Sequence, residues 1–214
     1  MGRQPQVQRR RDRGRRDHRS RVPPGPALAA HPAPGAGLTA GLGDSVVWHE
    51  APASADDALR RHLVELLGAG EVTVGRLCPQ CGSDRHGRPW ARHTRGAGAG
   101  RSSRDVHVSL SRGGGYVVTA ASLRGHLGVD VEVVQDVARD WPGDLVLAAG
   151  ESATSAVARA RCWAAKEAVL KRRGTGLAVP MSTVLLRREH GLVDLPAPDG
   201  LVAVLAGPLT HACA

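Results

Sequence analysis

Gly128-Val129-Asp130-Val131-Glu132 alternates small apolar residues with carboxylates, and Trp163-Ala164-Ala165-Lys166-Glu167-Ala168-Val169-Leu170-Lys171 carries acid and base at helical spacing. On a strand, successive side chains point to opposite faces, so Asp130 and Glu132 share one face while Val129, Val131 and Val133 share the other. Two carboxylates side by side repel unless a cation or a basic group lies between them. Hard oxygen ligands of this kind suit Mg²⁺, which takes one or two carboxylates together with substrate phosphates and water. An isolated Asp-x-Glu is also the pattern of an exposed polar face answered by surface Arg, so the second stretch has to decide. At about 100° per residue, Trp163, Lys166, Glu167 and Lys171 fall on one arc of a helix. Glu167 is then placed to complete a metal site, Lys166 and Lys171 to meet phosphate oxygens, and Trp163 to pack at the edge. A solvated face with ordinary helical ion pairing is the alternative for the helix alone. Against that stands the choice of residue: of the 29 Lys and Arg in the chain, only these two are Lys. Lys is a compact, titratable point charge where Arg is a permanently charged fork, and the two are not interchangeable.

Outward from these stretches, the coarse pattern is α+β. Val46-Val47-Trp48 reads as a short strand, and Ser54 can cap a helix from Ala55 to Leu67, whose apolar positions Ala58, Leu59, Leu63, Leu66 and Leu67 keep helical spacing. The turn-rich segment Cys78 to Ser103 reads as a long loop flanked by strands. Val106 to Ser111 and Tyr116 to Ala121, joined across Gly113-Gly114-Gly115, form a hairpin. Leu127 to Val134 is a further strand, and Ser155 to Arg173 a helix stopped by Gly174. Val184 to Arg188, Gly191 to Leu195 and Leu201 to Leu205 are expected as closing strands. This order divides into two α+β halves, 45–135 and 136–214, behind a tail at 1–44.

The tail is set apart by composition. It is rich in Arg, Pro, Gly and Ala without periodicity and is expected to be disordered. Residues 1–26 hold nine Arg against Asp12 and Asp17, which leaves 20 basic and 18 acidic side chains for the rest of a chain whose net charge is +9. The globular part is therefore nearly neutral. A basic tail can bind phosphates without specificity, yet no aromatic precedes Trp48 to stack on bases. A nucleic-acid partner is accordingly the competing class rather than the expectation. With 214 residues, 42% of them hydrophobic, the chain can bury a sizeable core. The sequence shows no run of 18 apolar residues and no secretory leader, so a cytoplasmic location without a membrane partner is expected. Cys78, Cys81, Cys162 and Cys213 are expected as reduced thiols. Cys78-Pro79-Gln80-Cys81-Gly82 with His86 and His93 invites a zinc reading, against that of a turn-rich loop near the site.

Taken in order, the two opening stretches, followed by Gly174-Thr175-Gly176-Leu177, resemble the two signature motifs of the 4'-phosphopantetheinyl transferases. The likeness extends upstream to the longer, monomeric members: Gly87-Arg88-Pro89 is similar to their Gly-Lys-Pro, and Val108-Ser109-Leu110-Ser111 to a strand ending in Ser-His, with Arg112 where that His usually stands. The resemblance spans roughly residues 57 to 190. It implies a pseudo-dimer of two similar α+β halves, a monomeric chain, and coenzyme A as co-substrate in the cleft between the halves. It makes Asp130, Glu132 and Glu167 the Mg²⁺ ligands. Glu167 or a metal-held water would deprotonate the serine of an acyl or peptidyl carrier protein, and Lys171 would stabilise or protonate the departing 3',5'-ADP. Arg61, Arg88, Ser111, Arg112 and Lys166 would contact the coenzyme A phosphates. The implied activity is that of a holo-[acyl-carrier-protein] synthase, extending to carriers of secondary metabolite biosynthesis. Exposed Arg such as Arg172 or Arg173 are candidates to face acidic carrier helices. A coenzyme A-binding protein without catalysis is the third reading.

Overall fold

β1 (Asp44–Glu50) leads into α1 (Ala55–Leu67), β2 (Glu71–Leu77), β3 (Arg88–Arg95), β4 (Ser102–Gly113) and β5 (Tyr116–Ser122). These strands form an antiparallel five-stranded sheet in the order β1-β5-β4-β3-β2. β6 (Gly128–Val133) follows, then α2 (Val134–Arg139), α3 (Gly143–Val146), α4 (Ala156–Arg173), β7 (Leu192–Leu195) and β8 (Leu201–Ala206). The second sheet is antiparallel with the order β6-β8-β7. This computed structural model describes residues 44–51 and 54–208, all within one compact unit. The expected tail lies outside the described residues except for Asp44, which opens β1.

Strand alternation sorts the core into layers. Val106, Val108 and Ala121 of the first sheet pack with Leu59 and Leu63 of α1. From the other face, Val118 and Ala120 meet Val129, Val131, Ala203 and Leu205 of the second sheet. Val204, on the far face of β8, packs with Ala164 and Ala165 of α4. The stacking is helix, sheet, sheet, helix. Ser54 caps α1 by accepting the Asp57 amide at 3.4 Å, and Ser155 caps α4 by accepting the Ala158 amide at 3.1 Å. Lys171, Arg172 and Arg173 in the last turn of α4 complement its dipole.

Two segments differ from the expected pattern. Within the supposed loop from Cys78 to Ser103, residues 88–95 form β3, which pairs with both β2 and β4. Its sequence is mostly Arg, His and Thr, and the buried positions Ala91, His93 and Thr94 are small or polar and do not alternate, so they announce no strand. Tertiary pairing overrides propensity there. Val184 to Arg188 is not a strand: Met181–Thr183 and Leu186–Arg188 form 3-10 turns. The carbonyls of Met181 and Val184 accept hydrogen bonds from Lys166 Nζ instead of from a neighbouring strand. β6, assigned to the N-terminal half by a boundary after residue 135, hydrogen-bonds to β8.

A polar network crosses the first sheet beneath α1. His62 is buried, with Nδ1 2.9 Å from Thr119 Oγ1 and Nε2 2.9 Å from Ser45 Oγ, and His49 Nε2 also lies 2.9 Å from Thr119 Oγ1. Burial, followed by the charge of His49, pushes the His62 pKa down to about 4. The folded protein thus resists protonation that the unfolded chain accepts near pH 6.5, and stability is lost as pH falls from there through about 4. The loss should reach about 3 kcal/mol. Denaturant unfolding at pH 7 and pH 4 should show that loss in the wild type and a much smaller one in His62→Gln; equal losses would remove His62 as the cause.

Candidate active site

Gly128 is the point where α4 meets β6. A Cβ there would overlap the Ala168 carbonyl oxygen and come within 2.7 Å of the Arg172 amide, so only glycine lets the helix lie this close to the strand. The approach delivers Lys171: its Nζ lies 2.6 Å from Asp130 Oδ1 and 3.2 Å from the Val129 carbonyl. From β4, Ser111 Oγ donates to the same Asp130 oxygen at 2.7 Å, and Ser109 Oγ accepts the Val129 amide at 3.0 Å. Asp130 Oδ2 is buried with no hydrogen-bond partner. A carboxylate oxygen left so is costly unless something positive meets it.

Glu132 and Glu167 complete the cluster. Burial first, then the Asp130 charge and a hydrogen bond that protonated Glu132 shares with Asp130, push the Glu132 pKa up to about 7, with Lys171 pulling the other way and Glu167 adding to the rise. Burial and then Asp130 also raise that of Glu167, again opposed by Lys171. Three carboxyl groups thus compete for one ammonium, an arrangement that a divalent cation would relieve. Their oxygens do not all lie within 4.8 Å of one another, the separation that among the described residues only Cys78, Cys81 and His86 satisfy. An open set of hard oxygens suits Mg²⁺, which keeps waters and substrate phosphates in its shell, better than it suits an ion needing a closed cage. The unpaired Asp130 oxygen and the raised carboxyl groups fit such an ion.

Beside the cluster runs a cleft of about 680 Å³, lined by Lys171, Arg88, Ser109, the Gly174–Ala178 turn and the Cys78–Gln80 loop. Arg88 lies over Gly174 and donates from Nη2 to His126 Nδ1 at 2.9 Å. His126 stacks edge-on against His107, with ring centroids 4.5 Å apart. Burial, then the nearby His126 and Arg88 charges, hold the His107 pKa below its usual value. Arg88 therefore brings a fixed positive charge to the cleft that Lys171 also lines, which suits the cleft to anions.

Residues 126–194 match the family model of the 4'-phosphopantetheinyl transferase superfamily. No curated protein matches the chain. The matching segment runs from His126 through β6 and α4 into β7 and holds Asp130, Glu132, Glu167 and Lys171. The upstream likeness around Arg88 and Ser111 lies outside the matched residues. No described helix is long and apolar enough to cross a membrane.

Of the side chains expected at the superfamily site, Asp130, Glu132, Glu167 and Lys171 are brought together, Ser111 joins them through Asp130, and Arg88 lines the same cleft as Lys171. Three others lie elsewhere. Arg61 is exposed on the outer face of α1 beside Asp57 and Glu65. Arg112, next to Ser111 on a strand, points to the opposite face and lines a depression with Ala51, Ser54 and Tyr116. Lys166 is fully buried, its Nζ 2.6 Å from Glu151 Oε2, 3.2 Å from the Met181 carbonyl and 2.8 Å from the Val184 carbonyl. All three of its donors are occupied by protein, so it meets no phosphate. Trp163 packs with the core cluster of Val146, Val169 and Met181. Arg172, offered as a surface contact for a carrier, is buried: it donates to the His190 and Gly207 carbonyls and pairs with Glu189 at 2.6 Å. Arg173 is exposed and also pairs with Glu189.

The Lys166 ion pair has a structural role. Burial works to raise the pKa of Glu151, but the Lys166 hydrogen bond and the amides of Ala148 and Leu186 outweigh it and hold the carboxyl below its usual range. Removing the lysine strands that carboxylate, and Lys166→Met should destabilise the fold by about 3 kcal/mol. Denaturant titration should show the loss while the turnover of the folded fraction is unchanged. A stable Lys166→Met protein with impaired turnover would instead return Lys166 to the site.

His107 and His126 are the residues that motif spacing overlooked. His126 stands two positions before Gly128 and touches the cleft only through its hydrogen bond to Arg88; with His107 it lines a neighbouring depression that Arg88 also borders.

Proposed function

We propose that the chain transfers 4'-phosphopantetheine from coenzyme A to a serine of an acyl or peptidyl carrier protein in a Mg²⁺-dependent reaction. The observation that carries this is the buried, unpartnered Asp130 oxygen beside Glu132, Glu167 and Lys171, in a segment matching the superfamily. In this scheme Asp130, Glu132 and Glu167 hold the metal. When bound, Mg²⁺ supplies charge neutralisation on the diphosphate. Glu167, whose proton affinity is raised by burial and by Asp130, takes the proton of the carrier serine. The serine oxygen forms its bond to the β-phosphorus as the bond from that phosphorus to the oxygen of 3',5'-ADP breaks. Lys171 lies where it can balance charge on the departing 3',5'-ADP, and Arg88, which lines the same cleft, would meet the phosphates. Ser111 positions Asp130 through its 2.7 Å hydrogen bond rather than touching phosphate.

The pseudo-dimeric organisation belongs to the same proposal. β1 followed by α1 and β6 followed by α4 begin two units that each close with antiparallel strands, and β6 pairing with β8 favours a division just before β6. A monomer accords with both units lying on one chain, and a cytoplasmic location is part of the same proposal. Coenzyme A labelled on its pantetheine arm tests the function: label should move to an apo carrier and fail to move when the carrier serine is replaced by Ala. Retention of label on that variant would refute serine as acceptor.

A further inference from the structure

The β2–β3 hairpin pairs Leu77 with Arg88, so the intervening segment must return on itself and brings Cys78 near His86. Cys81 Sγ lies 3.3 Å from His86 Nε2, and the ligand atoms of Cys78, Cys81 and His86 all fall within 4.8 Å of one another. The turn is hydrogen-bonded through the Gly82 amide to the Cys78 carbonyl at 2.9 Å, and through the Cys78 amide to the Ser83 carbonyl at 2.9 Å. Gly82 has φ 71°, which spares the turn the strain a side chain would bring. The backbone amides of Cys81 and Gln80 face the Cys78 sulfur. Amide donors around a Cys-x₂-Cys turn stabilise thiolate ligands, and two thiolates with an imidazole select a soft divalent ion over Mg²⁺. All three cysteines among the described residues are free thiols.

We propose that Cys78, Cys81 and His86 form a Zn²⁺ site, with water at the fourth position, that braces the tip of the β2–β3 hairpin. His93, the other histidine considered for such a site, is not a ligand: it is buried on β3 with Nε2 3.2 Å from the Ala69 carbonyl. The site stands apart from the carboxylate cluster in chemistry. Because Cys78, Pro79 and Gln80 line the cleft shared with Lys171, the ion would stiffen one wall of it. The metal assignment itself does not depend on the transfer reaction.

The full chain, purified under reductant and stripped of metal, is titrated with Zn²⁺ against a chromophoric chelator and separately with Co²⁺. About one zinc per chain should bind, and cobalt should give a thiolate-to-metal charge-transfer band. Cys81→Ser and His86→Ala should each weaken zinc binding by at least about 100-fold, while Cys162→Ser and Asp130→Asn retain it. Should either ligand variant fail to fold, the wild-type cobalt spectrum decides. A missing thiolate band, or zinc retained by Cys81→Ser and lost by Asp130→Asn, would overturn the assignment.

Discussion

Glu167→Gln is expected to lower phosphopantetheine transfer by roughly 1,000-fold, about 4 kcal/mol of transition-state stabilisation, without weakening the fold. The two effects have one cause. Glu167 is half-buried close to Asp130, which raises its pKa, so ionising it costs the folded protein energy. Replacing it with a neutral isostere removes that cost while deleting the proposed proton acceptor and one of the carboxylates proposed to hold the metal. The unfolding midpoint of the metal-free variant should therefore equal or exceed that of the wild type, and its transfer rate should collapse. Asp130→Asn differs in an informative way: it removes transfer but also leaves Lys171 without its 2.6 Å partner, so some stability should go with it. Rates within 10-fold of wild type for Glu167→Gln, read by single-turnover kinetics, would take the base and metal roles away from that residue.

Gly128→Ala is expected to be among the most damaging single-methyl additions in the chain. The added carbon would meet the Ala168 carbonyl and the Arg172 amide, backbone atoms in the last turns of α4, with no flexible side chain to give way. Helix and strand would have to part, loosening Ala164 and Ala165 from Val204. A destabilisation of about 3 kcal/mol or more follows. Displacement of α4 would also separate Lys171 from Asp130, so the surviving folded protein should lose transfer as well. Thermal unfolding with a parallel rate measurement checks both; a Gly128→Ala protein of wild-type stability would mean that the helix does not sit on β6 as described.

These expectations show why one part of the site could be read from residues alone and another could not. Alternation places Asp130 and Glu132 on one face of a strand because that follows from backbone geometry, whatever the neighbours. Helical phase puts Glu167 and Lys171 on the side of α4 that meets β6. It also placed Lys166 in the same arc, and there it failed. Phase gives a direction around the axis but not what lies in that direction, and Lys166 at the edge of the arc reaches Glu151 and the turn after Met181 instead. The scarcity of Lys remains informative in a changed form: one lysine faces the carboxylates, and the other closes a buried ion pair.

Arg112 illustrates the opposite error. Motif adjacency assigned it with Ser111, although the rule that paired Asp130 with Glu132 sends neighbouring strand residues to opposite faces. Arg61 fails because one helix position cannot say which end of a sheet it overlooks. β3 escaped notice because its hydrogen bonds to β2 and β4 hold together residues with little preference of their own for a strand. The Cys78, Cys81 and His86 grouping was half legible: the Cys-x₂-Cys spacing is local, but the choice of His86 over His93 rests on where the hairpin closes.

The most direct measurement is the intact mass of an apo carrier protein after incubation with the full chain, coenzyme A and Mg²⁺. The account requires a mass increase equal to one phosphopantetheine, located on the carrier serine, accompanied by release of 3',5'-ADP, suppressed by chelation and absent with Glu167→Gln. No mass gain on any of several unrelated carriers, or an equal gain with the chelated enzyme and with Glu167→Gln, would contradict it.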